Sequence, residues 1–494
     1  MRFQVFQNGN PAYNFELCGA YVFGNDGSAI RRVRIDLKNA MIECKKPHKE
    51  TSGLALLWPV TNYGRFLLPT TILTERARPY NLNVEMARAK LMQIVNKRED
   101  WSIFNDVAGL GKESQDFFIQ AIQNISSPSS TSKLADQSLE KAMVFAERLA
   151  VRQAETFLNA KSASHGFSRG CLGCKVEPQR IFEQKYIDKL MELFGYVSVP
   201  IRWASLEPRK DQYDFSLIDS CVGALSKRKL AVCAGPLLCF TSDCLPEWLQ
   251  KETDFEKIRE CAYQFVTKMI TRYADRIRSW IVISSMNMHN YFGFNFDQIL
   301  EMTRSAVTAV KSITNRVLKI VEVANIWGEY YSSQSNTIPP IVYIDMLLQG
   351  GVAFDAFGLR LQFGSDKNGL HVRDMMEISA CLDKLALSGK ALYITAVAVP
   401  SKSEESPNGQ LAGQWHSPWS ETLQAQWLEQ FYKIALSKPF VDSVIYSSLV
   451  DNSDSVIPYS GLLTAQFEPK KSYLILKRLH DVFSTDKKSN CRVK

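Results

Sequence analysis

No apolar run in this chain approaches the ~20 residues that a helix needs to cross a membrane, so no membrane span is expected. The start, Met1-Arg2-Phe3-Gln4-Val5-Phe6-Gln7-Asn8-Gly9, lacks the apolar core of a secretory leader. Dense basic runs are missing as well. The formal net charge of +8 is spread thinly, with Arg31-Arg32-Val-Arg34 and Lys487-Lys488 as short clusters, which reads as solvated faces and not as a nucleic-acid footprint. The 11 cysteines have no framework spacing, which fits reduced thiols and a cytoplasmic location. Cys171-Leu-Gly-Cys174 stands without a second pair, and His289 and His371 are isolated, so neither a metal centre nor another cofactor is expected. Gly109-Leu-Gly-Lys-Glu-Ser114 is no phosphate loop, because Asp106 stands where glycine is required five residues before Gly111. Ser284-Ser285 has neither a G-x-S-x-G elbow nor a paired histidine, which argues against a serine nucleophile.

What is present is an ordinary globular balance, 46% hydrophobic and 22% charged, in 494 residues, long enough for two or three domains. Residues 1–80 read as a small β-domain, sandwich-like or an open sheet. Gly19–Phe23 and Ile30–Asp36 flank the turn signal Asn25-Asp26-Gly27, and Met41–Cys44, Leu54–Trp58 and Phe66–Leu68 supply further strands. Residues 81–165 read as a helical hairpin or connector. Leu82, Met86, Ala89 and Met92 fall at helical spacing, further pieces lie near Glu113–Asn124 and Leu134–Ala160, and the polar Ser126–Ser132 stretch is expected as a loop. From 166 to 485 short apolar strands alternate with amphipathic helices. The strands are Val197–Ile201, Ala231–Ala234, Trp280–Ile283, Leu318–Val321, Ala356–Leu359, Ala391–Ile394 and Val441–Tyr446, with an eighth near Leu172–Val176. That rhythm predicts an α/β fold, a (β/α)8 TIM barrel, whose functional residues sit at the C-terminal strand ends. Residues 486–494 read as a flexible tail.

Several segments then occur in a telling order. Arg202-Trp203-Ala-Ser-Leu-Glu207-Pro208 is followed by Tyr213-Asp-Phe215 and Asp219, then Gly235-Pro-Leu-Leu and Leu245-Pro-Glu-Trp248. Phe354-Asp355-Ala-Phe-Gly358-Leu359, Glu421-Thr-Leu-Gln424, Gly461-Leu462-Leu463 and Pro469-Lys470-Lys-Ser-Tyr473 complete the series. Over about residues 195–480 this resembles glycoside hydrolase family 10, the retaining endo-β-1,4-xylanases. The resemblance implies a barrel that cleaves O-glycosyl bonds with two carboxyl groups about 5–5.5 Å apart, one acid/base and one nucleophile.

The departures fall on that chemistry. The family's acid/base motif, W-D-V-V-N-E, maps onto Trp280-Ile-Val-Ile-Ser284-Ser285, and its nucleophile motif, I-T-E-L-D-V, onto Ile394-Thr-Ala396-Val-Ala-Val399. Ser285 and Ala396 carry no carboxylate. The family's H-T-L-V-W-H becomes Gly235-Pro-Leu-Leu-Cys239-Phe240, its Q-x-H becomes Arg360-Leu-Gln362, and a late tryptophan becomes Tyr446. Glu322, Glu329, Asp451 and Asp454 are the carboxylates near strand ends, with Glu322 and Glu329 the fallback catalytic candidates. Arg202, Trp203, Phe240, Arg360, Gln362 and Tyr446 are the candidate ligand contacts. Three functions follow: a barrel without xylanase activity that binds a glycan or small molecule at its cleft, an active glycoside hydrolase with relocated carboxylates, or an interaction scaffold that meets a protein partner through residues 1–165.

Overall fold

The computed structural model describes residues 1–100, 105–164, 167–168, 170–403, 412–453 and 455–489. Eight parallel strands close on themselves: β1 (Leu172–Lys175), β2 (Tyr196–Val199), β3 (Ala231–Ala234), β4 (Ser279–Ser284), β5 (Leu318–Val323), β6 (Ala356–Gln362), β7 (Ala391–Ala398) and β8 (Val441–Tyr446). A short strand, Leu238–Cys239, continues β3 along β4. Helices between the strands cover the outer face, so β4 is buried along nearly its whole length and reads as an apolar run. Inside the barrel Tyr196, Cys233, Ile281, Ile320, Ala356 and Ile445 form one packed cluster. Burying an aliphatic side chain of this size stabilises by about 1.5–3 kcal/mol. Gly173 gives Tyr196 its space, since a Cβ there would lie 2.9 Å from the Tyr196 ring. The barrel is therefore a filled core, and only its upper rim is open to chemistry.

The first 80 residues form a two-stranded ribbon, Phe6–Gln7 with Asn10–Pro11, and most of two small sheets. One runs in the order Arg34–Lys38, Met41–Lys45, Arg2–Gln4, Tyr80–Asn81, and the other Gln414–Trp415, Gly64–Pro69, Gly53–Val60, Tyr21–Phe23. The turn at Asn25-Asp26-Gly27 forms, with Ser28 N–H donating to Asp26 at 2.9 Å and Phe23 bridging Ala29. The strand expected to follow it does not stay there. Arg34–Lys38 pairs instead with Met41–Lys45 in the other sheet, because Asn39 and Ala40 (φ 52° and 57°) make a tight hairpin between them.

Three helices follow in place of a hairpin: α1 (Leu82–Asp100), α2 (Asn105–Gln123) and α3 (Pro128–Ser164). The Ser126–Ser132 stretch is a loop only at its start. Pro128 opens α3, where its fixed φ suits the first turn and its missing N–H costs nothing. At the other end a helix runs from Lys471 to Ser489, so residues 486–489 of the expected tail are helical, and 490–494 lie outside the described residues.

The N-terminal region is built onto the barrel. Gln414–Trp415, from the loop after β7, adds an antiparallel strand to the edge at Gly64–Arg65. Leu67 N–H donates to the Val372 carbonyl at 2.9 Å, and Arg31 reaches the loop after β5, donating to the Thr337 carbonyl at 2.9 Å. From α3, Glu147 accepts from Gln430 and pairs with His416 at 3.1 Å. From α1, Lys90 pairs with Asp374 at 2.8 Å with both side chains almost fully buried. One hydrophobic cluster runs without a break from Phe3 to Phe483. Among the described residues no helix is long and apolar enough to cross a membrane.

The Lys90–Asp374 pair gives a direct check on this attachment. Removing one partner of a buried pair leaves an uncompensated charge, so Lys90→Met is expected to lower stability by about 3–5 kcal/mol. Urea unfolding measures it, and a loss below 1 kcal/mol would contradict the buried pairing.

Candidate functional site

The rim of the barrel follows from the period-two alternation of its strands. Side chains two residues beyond the packed interior layer point upward into the cleft. Above Ile320 stands Glu322, above Gly358 stands Arg360, and above Gly173 stands Lys175. Pairing between β6 and β7 slips here: Leu359 pairs with Ile394 but Arg360 with Ala396, so Thr395 is an extra residue. The bulge aims the Thr395 hydroxyl at Glu322 Oε1.

Glu322 is almost completely buried and sits at the centre of a polar network. Arg360 Nε donates to its Oε2 at 2.9 Å, and the guanidinium also approaches it at 2.8 Å. Ser284 Oγ donates to the same carboxylate, and Arg360 Nη2 reaches Ser284 Oγ at 3.1 Å. Burial alone would push the Glu322 carboxyl up. The Arg360 charge and the hydroxyls of Ser284 and Thr395 outweigh it and hold Glu322 below the ordinary carboxylate range.

Ser285 takes the acid/base position of the resemblance. It is fully buried, its Oγ is 2.7 Å from Ser284 Oγ, and its backbone lies in the left-handed region at φ 61°. For a residue with a Cβ that conformation costs roughly 1–2 kcal/mol. It is held by Ser285 N–H donating to the Glu322 carbonyl at 2.8 Å, and by the Met288 and His289 amides bonding back to Ser285 O. Ala396 offers only a methyl group at the position of the nucleophile.

The other candidates fall into two groups. Arg202 is 60% exposed and faces Asp243 at 3.9 Å, Arg360 is 31% exposed, and Gln362 donates to Ser447 Oγ at 3.2 Å from the cleft wall. Trp203, Phe240 and Tyr446 are closed off. Trp203 stacks on Phe265 and donates to Glu207 at 2.7 Å, Phe240 packs edge-on to Phe292 and Phe294, and Tyr446 bonds the Ser460 carbonyl. These three are packing residues, and the expected contact set narrows to Arg202, Arg360 and Gln362.

The fallback carboxylates do not gather. Glu329 is buried against Arg373, whose guanidinium also lies over Trp327, beneath the N-terminal sheet. Asp451 follows β8, pairs with Lys470 at 2.6 Å and accepts the Gly461 N–H at 2.9 Å. Asp454 lies outside the described residues. Among the described residues no group of His, Cys, Asp and Glu is arranged to hold a metal ion.

Two features were missed by sequence reasoning. Lys175 ends β1, its side chain is accessible to solvent, and its ammonium makes no hydrogen bond or ion pair among the described residues. Its signal was a charge closing an otherwise apolar strand at the end where barrels place function. The other is the thiol pair Cys239 and Cys244, with Cys239 Sγ 3.8 Å from Thr241 Oγ1 and Cys244 Sγ donating to Asp243 at 3.8 Å. Burial, then the Arg360 charge, brings the nearby His289 imidazole down to about 4.

Residues 164–474 match the model of glycosyl hydrolase family 10. Native xylanase 10B from Thermotoga maritima superposes with a TM-score of 0.51 at 15% identity, over 68% of this chain and 99% of that one. A family 10 structure from Paenibacillus barcinonensis gives 0.51 at 14% identity, over 66% and 97%. Xylanase 10B from Thermotoga petrophila RKU-1, in complex with xylobiose, gives 0.50 at 16% identity, over 68% and 97%. At such identities the likeness is one of fold.

The network sets two expectations. Arg360→Met leaves the Glu322 carboxylate buried without its cation, at a cost of about 3 kcal/mol, the low end because Arg360 is partly exposed. In the native chain Glu322 lies below its unfolded value, so its contribution is present above about pH 4.3 and is lost as pH falls through the folded value. In the variant burial dominates, the folded value rises above the unfolded one, and stability falls as pH climbs toward neutrality. Urea unfolding at pH 5 and pH 8 reads both effects, and an unchanged pH slope would contradict them. For His289, NMR titration of the ring protons is expected to give a midpoint near pH 4, and a midpoint near 6.5 would place the ring in solvent.

Proposed function

This chain belongs to glycosyl hydrolase family 10, and from that premise we propose that it binds a carbohydrate at the mouth of its barrel without hydrolysing it. The observation that supports this reading is the state of Glu322. Glycoside hydrolysis by the two-carboxylate route needs one carboxyl group that can hold a proton near neutral pH and a second that acts as nucleophile or base. Glu322 is held ionised by Arg360, and its oxygens are occupied by the hydroxyls of Ser284 and Thr395. Ser285 and Ala396 supply neither group. Loss of such carboxylates removes several kcal/mol of transition-state stabilisation. The mouth nevertheless keeps solvent-accessible polar donors in Arg202 and Arg360, with Gln362 buried in the wall beside them, and such groups orient a sugar hydroxyl.

The reading of an active hydrolase with relocated carboxylates has less support, because Glu329 is committed to Arg373 beneath the N-terminal sheet. The scaffold reading also has less support. Residues 1–165 spend a sheet edge on Gln414–Trp415 and ion pairs on Asp374 and His416, surface that a partner would otherwise use. The unpatterned cysteines favour a reducing, cytoplasmic setting.

The test has two arms. Wild type and Glu322→Gln are assayed on aryl β-xylobioside and on a polysaccharide panel, and titration calorimetry is run with neutral and charged oligosaccharides. No turnover by either protein, with heat from at least one oligosaccharide, is the expected result. Turnover by wild type that disappears in Glu322→Gln would restore a hydrolase, and silence with every sugar would remove the carbohydrate.

A further inference from the structure

The charges at the barrel mouth do not balance. Arg360 is neutralised by Glu322, whose carboxylate already serves two hydroxyls. Arg202 faces Asp243 at 3.9 Å, but both side chains are more than half exposed, so water screens that pair to little. The Lys175 ammonium has no ion-pair partner among the described residues. It rises from β1 two residues after Gly173, beside Ser198 of β2, and the charges acting on it are Arg360, Glu322, Cys244 and Arg202. Being surrounded by protein is the largest influence on its ammonium and, with the nearby guanidinium, holds it below the usual lysine range. The Arg360 donors on Nη1 are likewise unused among the described residues, since its bonds run through Nε and Nη2. Two cationic groups with free N–H donors thus face one cleft, and the carboxylate between them is already saturated. One cation without an ion pair and a second with a spare N–H edge favour an anion in such a place, because charge-assisted hydrogen bonds in a partly desolvated cleft are the strong ones.

We propose that the ligand of this cleft is an anionic sugar, one carrying carboxylate or sulfate oxygens, and that Lys175 and Arg360, with Arg202 at the rim, form the site that reads its charge. This rests on the carbohydrate reading above and adds the chemical class of the sugar. It also assigns Lys175 a binding role. Gln362 then addresses hydroxyls, while the cations select the charged ring.

Titration calorimetry at low salt with xylotetraose, tetragalacturonate and a sulfated tetrasaccharide separates the cases, with sodium sulfate added as a free-anion competitor. An anionic tetrasaccharide is expected to bind at least about tenfold more tightly than xylotetraose, with the preference shrinking as salt rises. Lys175→Gln should remove most of that preference, and Lys175→Arg should keep it, which separates lost charge from lost fold. Preference for the carboxylated or the sulfated sugar identifies which anion the site takes. Equal binding of neutral and anionic sugars overturns the inference while leaving the carbohydrate reading in place. Competition by sulfate with no sugar bound supports the anion site and sinks the carbohydrate. A preference that survives unchanged in Lys175→Gln overturns the role of Lys175, and no binding of any probe overturns both readings.

Discussion

A carboxylate taken out of water must be given a cation, and at the mouth of this barrel that requirement falls on Glu322. The side chain is buried at the end of β5, and the structure around it is arranged to keep its charge. Arg360 comes from β6, Ser284 from β4 and Thr395 from the bulge in β7. Four neighbouring strands are thereby tied at their C-terminal ends by one polar network. The left-handed backbone at Ser285 is part of the same arrangement, because its amide is anchored to the Glu322 carbonyl. A strained residue of this kind persists only where its surroundings over-determine it. Here Glu322 provides that surrounding through both its backbone and its side chain.

The same rule recurs at the other strand-end acids. Glu329 has Arg373, Asp374 has Lys90, and Asp451 has Lys470. The Lys90 pair joins the N-terminal region to the barrel, and the Arg373 pair lies under the N-terminal sheet. Acidic residues that could serve a reaction are thus committed to holding loops in place. Each of these carboxylates is held against a cation of the chain itself and away from the Glu322 network. The attachment of residues 1–164 and the ion pairs of the barrel carboxylates are therefore connected.

The barrel was legible in the sequence because buried parallel strands leave unbroken apolar runs, and all eight formed where such runs stood. The site was legible in part. The resemblance maps Ser285 and Ala396 onto the family's catalytic positions by motif order, and Glu322 and Arg360 stand at two strand ends that face one mouth. Trp203, Phe240 and Tyr446 were misread because aromatic side chains near strand ends serve packing and binding equally well, and only burial distinguishes the two. The N-terminal sheets resisted prediction for another reason. The turn from Asp36–Asn39 into Met41–Cys44 was legible, but the second sheet depends on a strand contributed from more than 300 residues away, which leaves no local periodicity. Lys175 was overlooked although it lay within the strand expected near Leu172–Val176, because sequence alone does not say which face of a strand looks into the mouth. Its meaning came from Gly173, which fixes the face on which it lies.

Stability alone does not call for a charged mouth. The barrel is closed lower down by Tyr196, Ile281, Ile320, Ala356 and Ile445, and that layer supplies the packing a barrel needs. Above it, a buried ion pair is no better than an apolar pair of similar volume, since the cost of removing two charges from water offsets their attraction. A lysine without an ion pair beside a guanidinium is worse, because like charges repel and the Glu322 carboxylate is already committed to Arg360. If folding were the only constraint, Lys175 would be expected to yield to a residue that filled the mouth. Its position is explained when the compensating charge comes from outside the chain. The cleft is then best understood as half of an electrostatic pair, with its hydroxyl-bonded carboxylate fixing the geometry and its free cations awaiting an anionic ligand.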